Sequence, residues 1–239
     1  MNQRMIVALS ATFVSACAPL RTPSRGTAPA TYELQPQRDS FVVLSRGRAV
    51  GFQRTNLERT ANGYRLRDEV RVEGALSQST ELEFRTDGAM PSLTRENDGQ
   101  PVHIKLEYAG DGARGSATTQ SAGRTARAID IAMPSETVDD NLLATIIPTL
   151  AWSRDARYTI TMSHFDAANS LYAVAVTGLE RVTVPSGTYD TYKVELTGAS
   201  SRPVLLNVTT ARPHRVVRLA PAGRSVEFVL ASTSREGSR

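Results

Sequence analysis

The segment GYRLRDEVRV, residues 63–72, contains the pattern that decides the fold. Tyr64, Leu66, Val70 and Val72 are apolar or aromatic, and charged side chains stand at the positions between them. An alternation with a period of two puts the apolar side chains on one face of a β-strand and the charged ones on the other. The segment therefore predicts an antiparallel strand that buries one face and exposes the other.

The same alternation recurs along the chain, in residues 81–85, 102–108, 192–196 and 226–230. Turn-forming residues separate the segments: Asn62-Gly63, Asp87-Gly88, Asn97-Asp98-Gly99, Gly110-Asp111-Gly112, Pro185-Ser186-Gly187 and Pro221-Ala222-Gly223. Short strands with such turns between them are typical of meandering antiparallel sheets that curl. We therefore predict a mainly β domain, built as a curved antiparallel sheet or incomplete barrel.

One helix interrupts the strands. Thr137, with Asp140 three residues later, matches a capping box, and Pro148 is expected to end or kink the helix. The acids Glu136, Asp139 and Asp140 are explained by the helix dipole, so we expect no cation site there. Apolar residues follow at helical spacing: Leu142, Leu143, Ile146, Ile147 and Leu150. We predict that this helix packs against the concave face of the sheet.

The first sixteen residues have the layout of an export signal. A positive start containing Arg4 precedes a short apolar stretch, and Ser15 and Ala16 supply small residues before Cys17. The run 14–17 resembles the lipobox of bacterial lipoproteins, which implies lipidation at Cys17 and anchoring to a membrane. An ordinary secretory signal with an incidental cysteine is the alternative. By the same resemblance, Ala18 after the cysteine favours the outer membrane, with the domain facing the periplasm.

The remainder of the chain divides into a linker and one domain. Residues 17–39 contain Pro19, Pro23, Pro29 and Pro36 among small and polar residues, which predicts a flexible, extended, lipid-anchored spacer. Residues 40–234 are then a single β-rich envelope domain of ordinary size.

Composition excludes several classes of protein. The formal net charge is +4, and the arginines are spread along the chain beside acids rather than clustered, so we expect no nucleic-acid partner. Apolar runs are shorter than a membrane-spanning helix requires. The single cysteine allows neither an internal disulfide nor a cysteine-based metal site.

A resemblance to a known group of domains supports this reading. The segment GLERVTVPSGTYDTYKV, residues 178–194, resembles a hairpin of bacterial envelope domains of unknown function, and residues 213–218, PHRVVR, resemble their following strand. Those domains are similar in fold to the LolA/VioE group, a curved antiparallel sheet folded over helices. The resemblance implies an envelope location and a concave sheet suited to lipid. It implies no activity.

Motifs for catalysis are missing from the sequence. It contains no Gly-x-Ser-x-Gly elbow, no phosphate-binding loop and no His-Glu-x-x-His. His164 and Asp166 are a local histidine–acid pair that would serve a serine nucleophile. The simpler interpretation, which we prefer, is the polar end of a strand and its turn. We therefore expect a protein that is not an enzyme and that uses no cofactor and no metal.

Two functions remain open. In the first, the domain is a binding module for an apolar or amphipathic, lipid-like envelope ligand. The sole tryptophan, Trp152, would then either stack on the ligand or fill the core. The predicted apolar pocket is lined by Leu106, Tyr108, Ile129, Ile131, Trp152, Tyr158, Ile160 and Met162. In the second, the domain is a structural lipoprotein with a filled core that binds an envelope protein partner.

Overall fold

The computed structural model describes most of the predicted domain. The described residues are 26–27, 34–74, 76–85, 92–97, 100–109, 112–119, 125–132, 137–139, 142–164, 167–198 and 202–235. The predicted signal peptide, Cys17 and nearly all of the predicted linker lie outside them.

The described chain is composed of β-strands with one short helical segment. The strands of the first half are β1 (Gly26–Thr27), β2 (Gln37–Ser45), β3 (Arg48–Thr60), β4 (Gly63–Val72), β5 (Leu76–Phe84), β6 (Ser92–Asn97), β7 (Gln100–Ala109), β8 (Gly112–Thr119) and β9 (Thr125–Ala132). Strand β10 (Thr137–Asp139) precedes helix α1 (Leu143–Ile146) and a 3-10 helix (Ile147–Thr149). The chain continues through β11 (Arg157–His164), β12 (Ala167–Val184), β13 (Gly187–Gly198), β14 (Val204–Thr209), β15 (Val216–Pro221) and β16 (Val226–Arg235).

All sixteen strands form one sheet. Its order is β1-β11-β12-β13-β14-β15-β16-β2-β3-β4-β5-β6-β7-β8-β9, and β10 also pairs with β11. Pairing is antiparallel except for the short strands β1 and β10, which lie parallel to β11. Among the described residues no ladder joins β9 to β1, so the sheet is open. The predicted mainly β, antiparallel fold is confirmed.

The sheet bends strongly at the β12–β13 hairpin. The backbone N–H of Ser186, at the tip of this hairpin, donates to the carbonyl of Leu230 in β16 at 3.1 Å. In a flat sheet β13 and β16 would lie about 14 Å apart, because β14 and β15 separate them. Val182 and Val184 from the same hairpin pack with Phe41 in a small hydrophobic cluster. These contacts require the curvature that the sequence predicts.

The main hydrophobic core surrounds the helical segment. Leu142, Ile146 and Ile147 are each at most 1% exposed. They belong to one cluster with apolar side chains from β3, β4, β5 and from β11 to β15. Because both parts of the sheet contribute, the short helix is covered by strands that are distant in the sheet order. The predicted helix against the sheet is therefore confirmed, with the predicted apolar residues facing the core.

The predicted start of the helix is wrong. Thr137 and Asp139 belong to strand β10, which pairs with β11 from Thr137–Thr161 to Asp139–Ser163. The helix starts later, and its N-cap, Leu142, makes no side-chain capping bond. The backbone hydrogen bonds between β10 and β11 form in place of the predicted N-cap of Thr137, an interaction worth about 1 kcal/mol. Asp140 and Glu136 lie outside the described residues. Pro148 acts as predicted, since the α-helix changes to a 3-10 helix there.

The domain boundaries also differ slightly from the prediction. Strand β2 begins at Gln37, so residues 37–39, predicted as the end of the linker, lie within the sheet. The reason is tertiary: Gln37 pairs with Leu57 of β3 on one side and Arg235 of β16 on the other. No local signal in this proline-rich stretch shows those distant partners.

Gly51 on β3 is expected to tolerate no side chain. A Cβ there would lie 1.9 Å from the carbonyl oxygen of Arg71 on β4. We predict that Gly51→Ala lowers the free energy of unfolding by about 2 kcal/mol or more, measured by urea denaturation. Gly178→Ala is the control, because a Cβ at Gly178 meets nothing within 4 Å, and it should change stability by less than about 0.5 kcal/mol. Equal effects of the two substitutions would contradict the close approach of β3 and β4.

Candidate functional site

Four of the predicted pocket residues come together in the core. Trp152 is 7% exposed, and its indole N–H donates to the carbonyl of Ile147 at 3.0 Å. Tyr158 meets the indole edge-on with ring centroids 5.9 Å apart. Ile160 and Met162 are buried in the same cluster. Trp152 is thus a core residue that ties the sheet to the helical segment, in agreement with the core-filling interpretation.

The other four predicted pocket residues lie at the far end of the sheet order. Leu106 and Ile129 flank Gly115 of β8 in one row across the sheet. Tyr108 and Ile131 flank Ala113 of β8 in a second row, two residues further along each strand. By register the four residues share one face of β7 and β9, and no ladder among the described residues joins these strands to β11. A single pocket formed by all eight residues stays a prediction.

The remaining sequence candidates do not form a site in the described chain. His164 is the last residue of β11 and pairs with Ala167 at the start of β12, so it stands at a strand end. Asp166 and Cys17 lie outside the described residues. No group of three ligating side chains among the described residues lies close enough to hold a metal ion. No described helix is long and apolar enough to cross a bilayer.

A groove beside the helical segment is the best candidate for a ligand site. We call it the helix groove; its volume is about 640 Å³. Leu34, Leu57 and Leu150 are buried and form its apolar floor. Exposed polar and small residues form its rim. The complete lining is Leu34, Gln35, Gln37, Leu57, Thr145, Pro148, Thr149, Leu150, Ala151, Arg212, Pro213 and His214.

His214 forms one wall of the helix groove. Its Nδ1 lies 2.7 Å from the carbonyl oxygen of Thr209. Because a carbonyl only accepts, Nδ1 carries the proton in this arrangement. The other ring nitrogen, Nε2, is buried without a hydrogen-bond partner among the described residues. The Nδ1 hydrogen bond ties the ring to the end of β14.

The groove was missed from the sequence because its parts are dispersed. Its lining comes from the segment before β2, from β3, from the helical segment and from the β14–β15 turn. In the sequence, Pro213-His214 predicts only the start of a strand. The one available signal is the apolar set Ile146, Ile147 and Leu150 with Pro148 among them, which marks a helix end close to the core.

A buried ion pair fixes β2 to the segment that follows β14. Arg215 Nη1 lies 3.3 Å from Asp39 Oδ1, and the two side chains are only 14% and 11% exposed. Arg215 also donates to the hydroxyl of Thr233, and Gln37 Nε2 donates to Asp39 at 3.1 Å. Burial raises the pKa of the Asp39 carboxyl, although the hydrogen bond from Thr233 and the charge of Arg215 each lower it. Desolvation outweighs the pairing.

A second set of buried polar groups lies between β12, β13 and β14. The amide of Asn207 donates to Thr191 Oγ1 at 3.0 Å and to Glu180 Oε2 at 3.1 Å. The hydroxyl of Thr191 donates to the Glu180 carbonyl at 2.8 Å. These groups satisfy one another, so they are explained as structural contacts of the sheet.

The geometry defines the class of this protein: an open, barrel-like antiparallel β domain that encloses a short helix and carries a groove beside it. A family model described as "Protein of unknown function (DUF3108)" matches residues 31–229. The chain therefore belongs to the DUF3108 family.

A solved structure shares the fold. The crystal structure of a β-barrel-like protein of a domain of unknown function, DUF1849, from Brucella abortus has a TM-score of 0.59 to this chain at 12% sequence identity. The similarity covers 86% of this chain and 99% of that one. At this identity it supports the fold alone. No curated protein matches the sequence.

The raised pKa of Asp39 predicts a pH-dependent stability. The folded state holds the Asp39 proton more tightly than the unfolded state, so this group stabilises the fold at low pH and loses that effect as pH rises through its folded pKa. Relative to Asp39→Asn, the wild-type free energy of unfolding should therefore fall between about pH 4 and pH 7 in urea titrations.

The matched control for this experiment is Asp190→Asn, because that carboxylate is 71% exposed in its pair with Arg181. Its difference from the wild type should not follow the Asp39 trend. If the wild type instead gained stability over Asp39→Asn as pH rose, the attraction of Arg215 would exceed the desolvation of Asp39.

Proposed function

We propose that this chain is an envelope lipoprotein, anchored through Cys17 to the outer membrane, whose β domain binds an amphipathic ligand in the helix groove. The observation that carries the binding role is the groove itself, with a volume of about 640 Å³, an apolar floor and a polar rim. Small-molecule sites typically have about 300–1,000 Å³, and the helix groove lies within that range. The proposed role is binding, without catalysis or a cofactor.

The lining sorts into two parts that suit the two ends of an amphipath. Leu34, Leu57 and Leu150 would contact an acyl chain or another apolar body at the floor. Arg212 is exposed at the rim, where its guanidinium would meet a polar or anionic head group. Each buried CH₂ of such a ligand would contribute about 0.8 kcal/mol to binding.

The envelope location is supported by the sequence at the N-terminus. Val14-Ser15-Ala16-Cys17 follows a positive and then apolar segment, and Cys17 is the sole cysteine of the chain. A lipid on Cys17 would keep the groove near a membrane, where amphipathic molecules are concentrated. The two parts of the proposal are independent, because the groove does not depend on the anchor.

One observation favours the second candidate, an interaction protein with a filled core. Ile147 and Leu82 are completely buried, and Ile146 is 1% exposed, so the interior around the helical segment is closely packed. In that case the domain would present its surface to an envelope protein, and the helix groove would hold no small ligand. The binding experiment below separates the two candidates.

Replacement of Cys17 tests the anchor. We expect the wild-type chain, expressed in a Gram-negative host with labelled palmitate, to incorporate the label and to fractionate with the outer membrane. The variant Cys17→Ser should incorporate none and should appear in the soluble periplasmic fraction, because serine offers no thiol for acylation. Equal labelling of both chains, or recovery of the wild type in the cytoplasm with its first methionine, would refute the anchor.

Filling the helix groove tests the binding site. Ala151 is exposed in the groove lining, so Ala151→Trp should occupy the space that a ligand needs. In the full chain carrying Cys17→Ser, we expect dodecanoate to bind in calorimetric titration and Ala151→Trp to weaken that binding about tenfold, or 1.4 kcal/mol.

The control for this substitution is Ala173→Trp. Ala173 is also exposed but lies on β12, outside the groove lining, so its replacement should change the dodecanoate affinity less than about twofold. Absence of dodecanoate binding, together with no amphipath in lipid extracts of the protein purified without detergent, would reject the binding role and favour the interaction protein.

A further inference from the structure

The chain that leads from Cys17 joins the domain beside the helix groove. Strand β1 pairs in parallel with β11, and Gly26 lies opposite Tyr158. Because the two strands run in the same direction, the chain before Gly26 approaches from the side on which β11 begins. The hydroxyl of Tyr158 donates to the carbonyl of Ala151, a residue of the groove lining. The N-terminal chain therefore enters at the end of the domain that carries the helix groove.

The pairing of β1 limits how far the domain can move from Cys17. Nine backbone steps separate Cys17 from Gly26, and since each step spans at most about 3.6 Å, together they reach about 32 Å. Without this pairing, the chain would first be held at Leu34, which is 4% exposed and accepts a hydrogen bond from the Tyr64 hydroxyl at 3.1 Å. Seventeen steps separate Cys17 from Leu34 and reach about 61 Å. The pairing of β1 therefore roughly halves the greatest length of the tether.

This length favours one orientation of the domain on a membrane. Strand β2 runs from Gln37, in the lining of the helix groove, to Ser45 at the opposite end, about 27 Å away at about 3.4 Å per residue. For the opposite end to meet the lipid, the tether would have to run back along the whole domain and would be almost fully extended. An extended chain has few conformations, so that orientation costs chain entropy. Contact through the groove end carries no such cost.

The groove end also presents positive charge. Arg154, Arg157 and Arg212 are exposed and form no ion pair in the part of the chain that the structure describes. Arg212 lies on the groove rim, whereas Arg154 and Arg157 lie between Ala151 and the first turn of backbone in β11. Asp155 is the one exposed acid in this connection. Basic side chains near an anionic lipid surface each favour binding to it.

We propose that the end of the domain that carries the helix groove docks on an anionic lipid surface, with the groove rim and its three arginines facing the head groups. This docking rests on the proposed lipidation of Cys17, and it names the bilayer as the surface that the proposed binding site faces. Arg46 and Arg48 are exposed at the opposite end, around the β2–β3 turn, so charge alone selects neither end. The short tether selects the groove end.

Energy transfer from Trp152 measures this orientation. Trp152 is the sole tryptophan of the chain, and its ring centroid lies 5.9 Å from that of Tyr158, beside the entry of the tether. The lipidated full chain is reconstituted into vesicles of phosphatidylcholine and phosphatidylglycerol that contain a dansyl-labelled lipid as the acceptor. Labelled palmitate on the same protein checks the anchor independently. We expect strong energy transfer from Trp152, and weaker transfer in vesicles of phosphatidylcholine and dansyl lipid alone.

A pair of substitutions in β1 tests the tether. Gly26→Pro with Thr27→Pro removes both backbone N–H donors of β1, so the strand should separate from β11. Since the greatest tether length then roughly doubles, energy transfer should fall about twofold or more. Gly26→Ala with Thr27→Ala is the control, because it keeps both donors, and it should match the wild type. The urea midpoint should change little in either variant, since β1 pairs through only two residues.

Two pairs of arginine substitutions test the contact surface. Arg154→Ala with Arg157→Ala, at about 50 mM NaCl where screening is weak, should lower energy transfer to the value found in phosphatidylcholine vesicles. Arg46→Ala with Arg48→Ala removes the same charge at the opposite end and should leave energy transfer unchanged.

Three results would overturn this docking. Equal energy transfer in the proline and alanine variants of β1, with palmitate present, would show that β1 does not set the tether, and the anchor would stand without the orientation. A loss in the Arg46 and Arg48 variant, without one in the Arg154 and Arg157 variant, would place the opposite end on the lipid. Absence of palmitate from the wild type would refute the anchor and the docking together.

Discussion

The packing of a long sheet around one short helical segment is the constraint on which the rest of this structure depends. A four-residue helix has no stability of its own, because helix nucleation is unfavourable in isolation. The sheet likewise needs a partner for its apolar face. Leu142, Ile146 and Ile147 satisfy both needs, since strands from both parts of the sheet bury them almost completely. Trp152 strengthens the attachment through its bond to the Ile147 carbonyl.

The period of two in the strands gives the domain two chemically different faces. On β4, Tyr64 and Leu66 enter the core, whereas Arg67 and Glu69 lie on the opposite face of the sheet. A strand cannot slip by one residue without burying the charged row, so the register of the central strands is strongly specified. The same alternation that stabilises the fold therefore also determines the chemistry of the surface that it leaves open.

Buried polar groups fix the parts that frame the helix groove. The pair of Asp39 and Arg215 joins β2 to the chain that leads into β15, next to the turn that carries Arg212 and His214. Such a pair contributes little net stability, because desolvation of both charges opposes their attraction. The pair instead fixes the position of the two segments. If they separated, or if one partner were removed, the other charge would stay buried without compensation.

The sequence by itself determined the elements whose cause is local. Alternating residues such as those of 63–72, the Asn62-Gly63 and Pro185-Ser186 turns, and the apolar set from Leu142 to Leu150 predict strands, hairpins and a helix that the structure confirms. Side-chain periodicity and turn chemistry act between neighbours a few residues apart, which is why they can be seen in the sequence.

Tertiary structure alone decided what depends on distant partners. Thr137 became part of a strand because β11 offered it backbone hydrogen bonds, and Gln37 joined the sheet because Leu57 and Arg235 flank it. The helix groove has the same origin: Leu34 and Leu150 line it together only after the sheet has formed and bent. Pairing and curvature join residues far apart in the chain, and no local pattern records which strands will become neighbours.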